Sequence, residues 1–404
     1  MSNGSVPTVG VNLTWLDPGV VGGSEEYTIR LLRAVSDLDP REFRLRLYGR
    51  RNLFRRYPDL IDRYGVEVMP GHDHGKARRI VLENSWLATA SSADTVVHHA
   101  GGVVPLIRWQ TPIVTVHDLQ PLDLPDNFGP LKRLWLGAML PHSVRAARLV
   151  ICPSRFTADR LADRLGVPDH KLRIVYHGHR APTVPVGAAD EDHARGPRTD
   201  RDAAPEVHRG STRGAGPVPS DGRPYVLLPA IAYRHKRHRD IIDALAPLDD
   251  VGLVMTGRPG PETDSLRAQV RRLGMEERVH IPGRVSEQEL HELYRRALAL
   301  VFPSEYEGFG NPALEAMANG CPALVSDSGS LPEVVADAGV VVKTGSVTAW
   351  RQAIVELRAK PKLARDLVER GRRRASEFTP ERAGRQLVGV YRQALRLPLS
   401  PDET

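Results

Sequence analysis

Ser304–Val334 reads SEYEGFGNPALEAMANGCPALVSDSGSLPEV, and this stretch decides how the C-terminal half folds. It follows Ala299–Phe302, an apolar run short enough for a strand buried on both faces of a parallel sheet. Gly308 and Gly310 let the backbone turn tightly and approach a ligand. Asn311 can cap the helix that follows, Pro312 suits its first turn, and Gly320 ends it. A helix starting at the carboxyl end of a parallel strand offers free N–H groups and a positive dipole end, a seat for an anion. Glu307 stands in the loop and Glu315 in the first helical turn. Both carboxylates can therefore face one pocket and accept hydrogen bonds from hydroxyls.

Outward from this stretch the same alternation repeats. In the C-terminal half the strand candidates are Tyr225–Leu228, Gly252–Met255, Val279–Ile281, Ala299–Phe302, Ala323–Ser326 and Val340–Val342, with helical stretches between them. In the N-terminal half they are Val9–Leu13, Arg44–Tyr48, Thr95–His98, Ile113–Val116, Leu149–Cys152 and Arg173–Tyr176. After the first comes SEEYTIRLLRAVSDL, which Ser24 can cap, with Tyr27, Leu31, Val35 and Leu38 at helical spacing. Two βα-alternating halves predict an α/β protein of two doubly wound, Rossmann-like domains facing across a cleft. Residues 1–179 form the first and 224–378 the second, with a helical tail over 379–404. Residues 180–223 are rich in Pro, Gly, Ala and charge and hold no aromatic residue. Such a segment buries too little apolar area to offset its ordering entropy and is expected to be a disordered linker or insertion.

Composition narrows the class. The chain has 404 residues, 41% hydrophobic and 26% charged, as in soluble globular proteins. Its start lacks the basic and apolar pattern of a secretion signal, and no run approaches a membrane span. The expected location is the cytoplasm, including the inner face of the cell membrane. Cys152 and Cys321 read as buried apolar residues rather than a disulfide or metal pair. The net charge of +7 does not indicate nucleic acid, because only seven of the 56 basic residues are lysine and no stacking cluster accompanies them. The densest basic stretch, 41–64, has eight arginines against three acids. It reads as a solvated face, or as a surface for anionic lipid head groups or a phosphorylated acceptor.

Three further stretches carry chemistry. YVLLPAIAYRHKRHRDIIDAL (225–245) puts Arg234 and Lys236 between a strand and a helix. PGVVGGSEEYTIRLL (18–32) opens the first helix with Gly22 and Gly23. PIVTVHDLQPLDLP (112–125) sets His117 and Asp118 at the end of a buried strand, where open α/β sheets bind ligands. Glycines before a helix also serve packing alone, and the alternative for His117 is a satisfied core or loop histidine. His98 and His99 allow either reading. The G-x-G-x-x-G fingerprint of dinucleotide-binding proteins is absent.

Together with LVICPSRFTADRL (149–161) and KLRIVYHG (171–178), these stretches resemble the retaining glycosyltransferases of family 4, which have the GT-B fold. Ser304–Val334 looks like that family's E-x(7)-E signature. The resemblance implies that Glu307 contacts the donor sugar and Glu315 the nucleotide ribose. It also implies that Gly308, Phe309, Gly310 and Asn311 lie against the sugar and diphosphate. Lys236, with Arg234 as the alternative, would bind the diphosphate, Gly22 and Gly23 would face phosphates and acceptor, and His117 would contact the sugar near the reacting carbon. Catalysis would rest on His117, Glu307 and Lys236. The chain departs from the family at Pro229-Ala230, where Gly-Arg is frequent, at Arg237, where Asn is frequent, and at His177, where Asn is usual. Ser154 reads as a helix cap.

The implied reaction moves a hexose, mannose or glucose, from a nucleoside diphosphate sugar to a glycan, lipid-linked or small-molecule hydroxyl with retention. The nucleotide sugar is a co-substrate, so no cofactor is implied. No D-x-D element stands at a strand end, so no metal is implied either. A non-catalytic nucleotide-sugar-binding module on the same fold would not need the sugar-facing Glu307 and His117.

Overall fold

The computed structural model describes residues 6–20, 22–71, 75–179, 219 and 222–399. The expected linker, 180–223, lies outside the described residues apart from 219, 222 and 223. The described chain divides into two compact units. The first holds residues up to 179, 307–311 and those from 377 onward; the second holds the rest.

The first unit is built on seven parallel strands: β1 (Thr8–Asn12), β2 (Arg44–Gly49), β3 (Gly65–Val68), β4 (Val96–His99), β5 (Thr111–Thr115), β6 (Leu149–Cys152) and β7 (Leu172–Ile174), ordered β3-β2-β1-β4-β5-β6-β7. Apart from the edge strands they are buried runs, and helices cover their faces. Edge strand β3 escaped the sequence reading because its Gly-Val-Glu-Val is mostly exposed and carries no apolar run. The last strand is Leu172–Ile174, earlier than the expected Arg173–Tyr176. The helix Gly23–Leu38 buries Tyr27, Leu31 and Val35, as its spacing predicts. Its N-cap is Gly22, with no side-chain capping bond, so Ser24 does not cap it. The tail helix Pro380–Leu395 packs Leu387, Val388 and Tyr391 into the same core. Gly384 permits that approach, since a Cβ there would lie 3.0 Å from the Ala34 Cβ.

The second unit carries six parallel strands, β8 (Tyr225–Pro229), β9 (Gly252–Thr256), β10 (Val279–Gly283), β11 (Ala299–Phe302), β12 (Ala323–Ser326) and β13 (Val340–Val342), ordered β10-β9-β8-β11-β12-β13. Its core joins Val226, Leu253 and Val301 of the sheet to Ile241, Trp350 and Ile354 of helices. In each sheet the winding reverses once, between β1 and β4 and between β8 and β11. Open α/β sheets bind ligands at the carboxyl ends of the strands flanking such a reversal. Cys152 and Cys321 are free and buried. Among the described residues no helix is long and apolar enough to cross a membrane.

Candidate functional site

At the β1/β4 reversal the chain leaves β1 and reaches Gly22, whose φ of 84° lies in the left-handed region that glycine tolerates. Gly23 is the first residue of the helix. The sequence reading missed Glu25, the anchor of this loop. Its buried carboxylate accepts from the Gly19 N–H (2.9 Å) and the Tyr57 hydroxyl (2.8 Å).

His117 follows β5. Its Nε2 lies 2.8 Å from the Ala100 carbonyl, which can only accept, so the proton sits on Nε2. The buried Nδ1 then presents a lone pair and has no hydrogen-bond partner. Burial pushes the imidazole pKa down to about 4, so it is neutral at pH 7 and suited to accepting from a hydroxyl. Trp15 and Tyr27 stand at 5.6 and 5.7 Å between ring centroids. His98 and His99 have structural partners. His98 lies 2.8 Å from the Tyr391 hydroxyl and 2.7 Å from Thr115 Oγ1, and His99 Nδ1 is 3.2 Å from Asn12.

Glu307–Asn311 belongs to this first unit. A Cβ on Gly308 would lie 2.1 Å from the His117 carbonyl oxygen, so only glycine fits. The Gly308 carbonyl accepts from Ser154 Oγ at 2.6 Å, while Ser154 Oγ accepts from the Thr157 N–H and caps the helix Arg155–Leu165. Gly310 has φ 96°, the second place where the turn demands glycine. The imidazole of His177 is stacked between Tyr27 (4.1 Å, 15°) and Phe309 (4.4 Å, 20°). Asn311 is the first residue of the helix Asn311–Ala318 rather than its cap, and its Oδ1 lies 2.6 Å from His177 Nδ1. The structure thus brings His117, Gly308, Phe309 and Asn311 together around the ends of β5 and β6.

At the β8/β11 reversal of the second unit, a 3₁₀ turn over Arg234–Lys236 follows β8, ahead of the helix His238–Leu245. The half-buried Lys236 places its Nζ 5.3 Å from the Phe302 ring at the end of β11. Arg234 is exposed. The His235 carbonyl accepts from the Glu305 N–H at 2.9 Å, which ties the lysine turn to the loop after β11. Arg237, the departure from the family pattern, reinforces that tie with ion pairs to Asp240 (2.8 Å) and Glu305 (3.1 Å). Glu315 is the fifth residue of its helix, so it stands in the second turn rather than the first. The buried Tyr294 donates to its Oε2 at 3.1 Å, a positioning contact that the sequence reading missed.

A cavity opens beside the lysine turn at the ends of β8, β9 and β10, lined by Ala230, Thr256, Gly257, Arg258 and Ile281. A Cβ on Gly257 would lie 3.0 Å from the Ala230 carbonyl, and one on Gly260 2.6 Å from that of Ala232. Glycines directly after β9 were the available signal for it.

Comparison with known proteins matches residues 216–374 to the family described as "Glycosyl transferases group 1" and residues 21–180 to "Glycosyltransferase Family 4". The O-antigen chain mannosyltransferase RfbU of Salmonella typhimurium is 27% identical over 65% of this chain and 64% of its own length, a little under two thirds. The O-antigen chain mannosyltransferase B of Escherichia coli is 28% identical over 74% of each. Among solved structures, Anabaena Alr3699/HepE in complex with UDP and glucose shares the fold with a TM-score of 0.70 at 17% identity, covering 96% of this chain and 100% of that one.

Proposed function

Because the chain belongs to glycosyltransferase family 4 and has the GT-B fold, we propose that it is a retaining, metal-independent hexosyltransferase using a nucleoside diphosphate mannose or glucose. The observation that carries this reading is the junction at the β8/β11 reversal. There the turn bearing Lys236 is bonded to the loop after β11 through His235 and Glu305. An ammonium held at a switch point can receive charge as the glycosyl–phosphate bond breaks, without reorganisation at that moment. In this reading Lys236 takes the diphosphate with Arg234 beside it, Glu315 the ribose, and the Gly257 cavity the base. Glu307 and the Gly308–Asn311 amides take the sugar and diphosphate, His117 accepts from a sugar hydroxyl, and the Gly22–Gly23 loop faces phosphates and acceptor.

The names of the two O-antigen chain mannosyltransferases support mannose and a glycan acceptor. The test is a panel of nucleotide sugars, including GDP-mannose and UDP-glucose, scored by thermal stabilisation and then by transfer in the presence of a chelator. One donor should raise the melting temperature and be turned over at an undiminished rate without free metal. The product's anomeric configuration, read by NMR, should match the donor's. An inverted product, or turnover abolished by the chelator, would overturn the mechanism. No stabilisation by any donor would overturn the assignment.

A further inference from the structure

The loop 100–110 of the first unit does two things. At its start the Ala100 carbonyl accepts from His117. At its tip it turns apolar side chains into solvent: Leu106 is 62% exposed, Ile107 55% and Trp109 75%. The tip is held in place, since Asn84 Oδ1 accepts from the Leu106 and Ile107 N–H groups at 2.8 and 3.1 Å. Asn84 ends the helix Lys76–Asn84, and one turn earlier on that helix Val81 is 63% exposed. An exposed aromatic and three exposed aliphatic side chains are therefore carried by this loop tip and the helix end that holds it. Isolated apolar residues on a surface are ordinary, but a held cluster of large ones marks a partner.

The charge around the cluster chooses the partner. Arg78 is exposed on the helix, while its neighbour Arg79 pairs with the buried Glu83 at 3.6 Å. Arg108 folds its guanidinium back onto the Pro105 and Leu106 carbonyls, beside the apolar tip. The arginine-rich stretch 41–64 does not offer the same arrangement, because Ile61 is its one exposed large apolar side chain and Arg41, Arg46, Arg50 and Arg63 pair with Asp39, Asp94, Asp17 and Asp37. Exposed Trp, Leu and Ile flanked by arginines match a bilayer interface, where the apolar groups enter the acyl boundary and the cations stay among anionic head groups.

We infer that the surface formed by Val81, Leu106, Ile107 and Trp109, with Arg78 and Arg108 at its rim, docks the protein onto an anionic bilayer. A lipid-linked acceptor in that bilayer would meet the loop that fixes His117; this consequence alone rests on the transferase reading, and the docking does not.

The test is sedimentation of the full chain with phosphatidylcholine vesicles, with and without phosphatidylglycerol. The wild type should sediment only with the anionic vesicles, less so as salt rises, and brominated lipid should quench tryptophan emission. Trp109→Ala should weaken binding about tenfold, and Ile107→Ser with Trp109→Ala should abolish it. Melting temperatures should be unchanged, because these side chains are exposed. Trp109→Phe should keep most of the binding while losing the quenching. Wild type that stays in solution, or a double variant that sediments equally, would overturn the proposal. So would concentration-dependent dimers that the double variant loses without any vesicle binding, since the occupant would then be a second copy of the chain.

Discussion

His177 Nδ1 lies 2.6 Å from Asn311 Oδ1, joining two residues 134 positions apart. An amide oxygen only accepts, so Nδ1 carries the proton, and burial pushes the ring's pKa down to about 3. The imidazole is therefore a neutral donor, clamped between Tyr27 and Phe309. It fixes the first residue of the helix that follows the glycine turn.

Removing that clamp should be costly. Each aromatic stack contributes about 0.5–1.5 kcal/mol and the hydrogen bond about as much. His177→Ala should lower stability by roughly 1.5–4.5 kcal/mol on that basis, whereas His177→Asn keeps a donor and should lose less. Denaturant melts of both variants would check the order. Equal losses would mean that the hydrogen bond contributes nothing.

Gly308 provides a sharper steric test. Gly308→Ala drives a Cβ against the His117 carbonyl, which must move or push the loop away. A displacement on the order of 1 Å at a reacting site can cost about a hundredfold in rate. The variant should fold, as judged by circular dichroism, and lose turnover on that scale. Wild-type turnover would place the loop outside the reaction.

Tyr294 and Glu315 separate positioning from contact. Tyr294→Phe removes one donor to Glu315 while keeping the packed ring. A hydrogen bond of about 0.5–1.5 kcal/mol predicts a two- to tenfold weaker affinity for the nucleoside diphosphate by calorimetry. Glu315→Ala should weaken it further. An unchanged affinity in Glu315→Ala would remove the ribose role.

Six buried imidazoles give the protein a defined acid limit. Burial lowers His98, His99, His177 and His235 to about 3, and His117 and His238 to about 4. The unfolded chain takes up these protons near pH 6.5 and the folded chain does not. Stability is thus fully present above 6.5 and is lost as pH falls toward 4 and then 3. Each fully linked group steepens that loss by up to about 1.4 kcal/mol per pH unit. Melting temperatures should be flat from pH 7 to 8 and fall steeply between 6 and 4.5. A flat profile down to pH 4.5 would show that these rings are not held neutral.

The buried strands were readable because each is a short apolar run between turn signals. Leu149–Cys152, Ala299–Phe302 and Ala323–Ser326 coincide with expectation to the residue. Strand β3 was not readable, since an exposed edge has no such run. Ser154 as a cap was readable from local chemistry, but its second bond, to Gly308 across 154 positions, has no local trace. The same holds for Tyr294 on Glu315 and for the stack around His177. Helix starts were misjudged at Ser24 and Asn311 because glycines at 22 and 310 take the left-handed turn that precedes each helix. The docking of the tail helix depends on packing at Ala34 and Gly384, which spacing cannot convey.

The most direct measurement is turnover of the stabilising nucleotide sugar by Lys236→Ala. Losing one donor aimed at developing charge costs about 2.7–4 kcal/mol. The account predicts a fall of roughly a hundred- to a thousandfold, with the fold intact by circular dichroism. A folded Lys236→Ala enzyme that turns the donor over at the wild-type rate would contradict it.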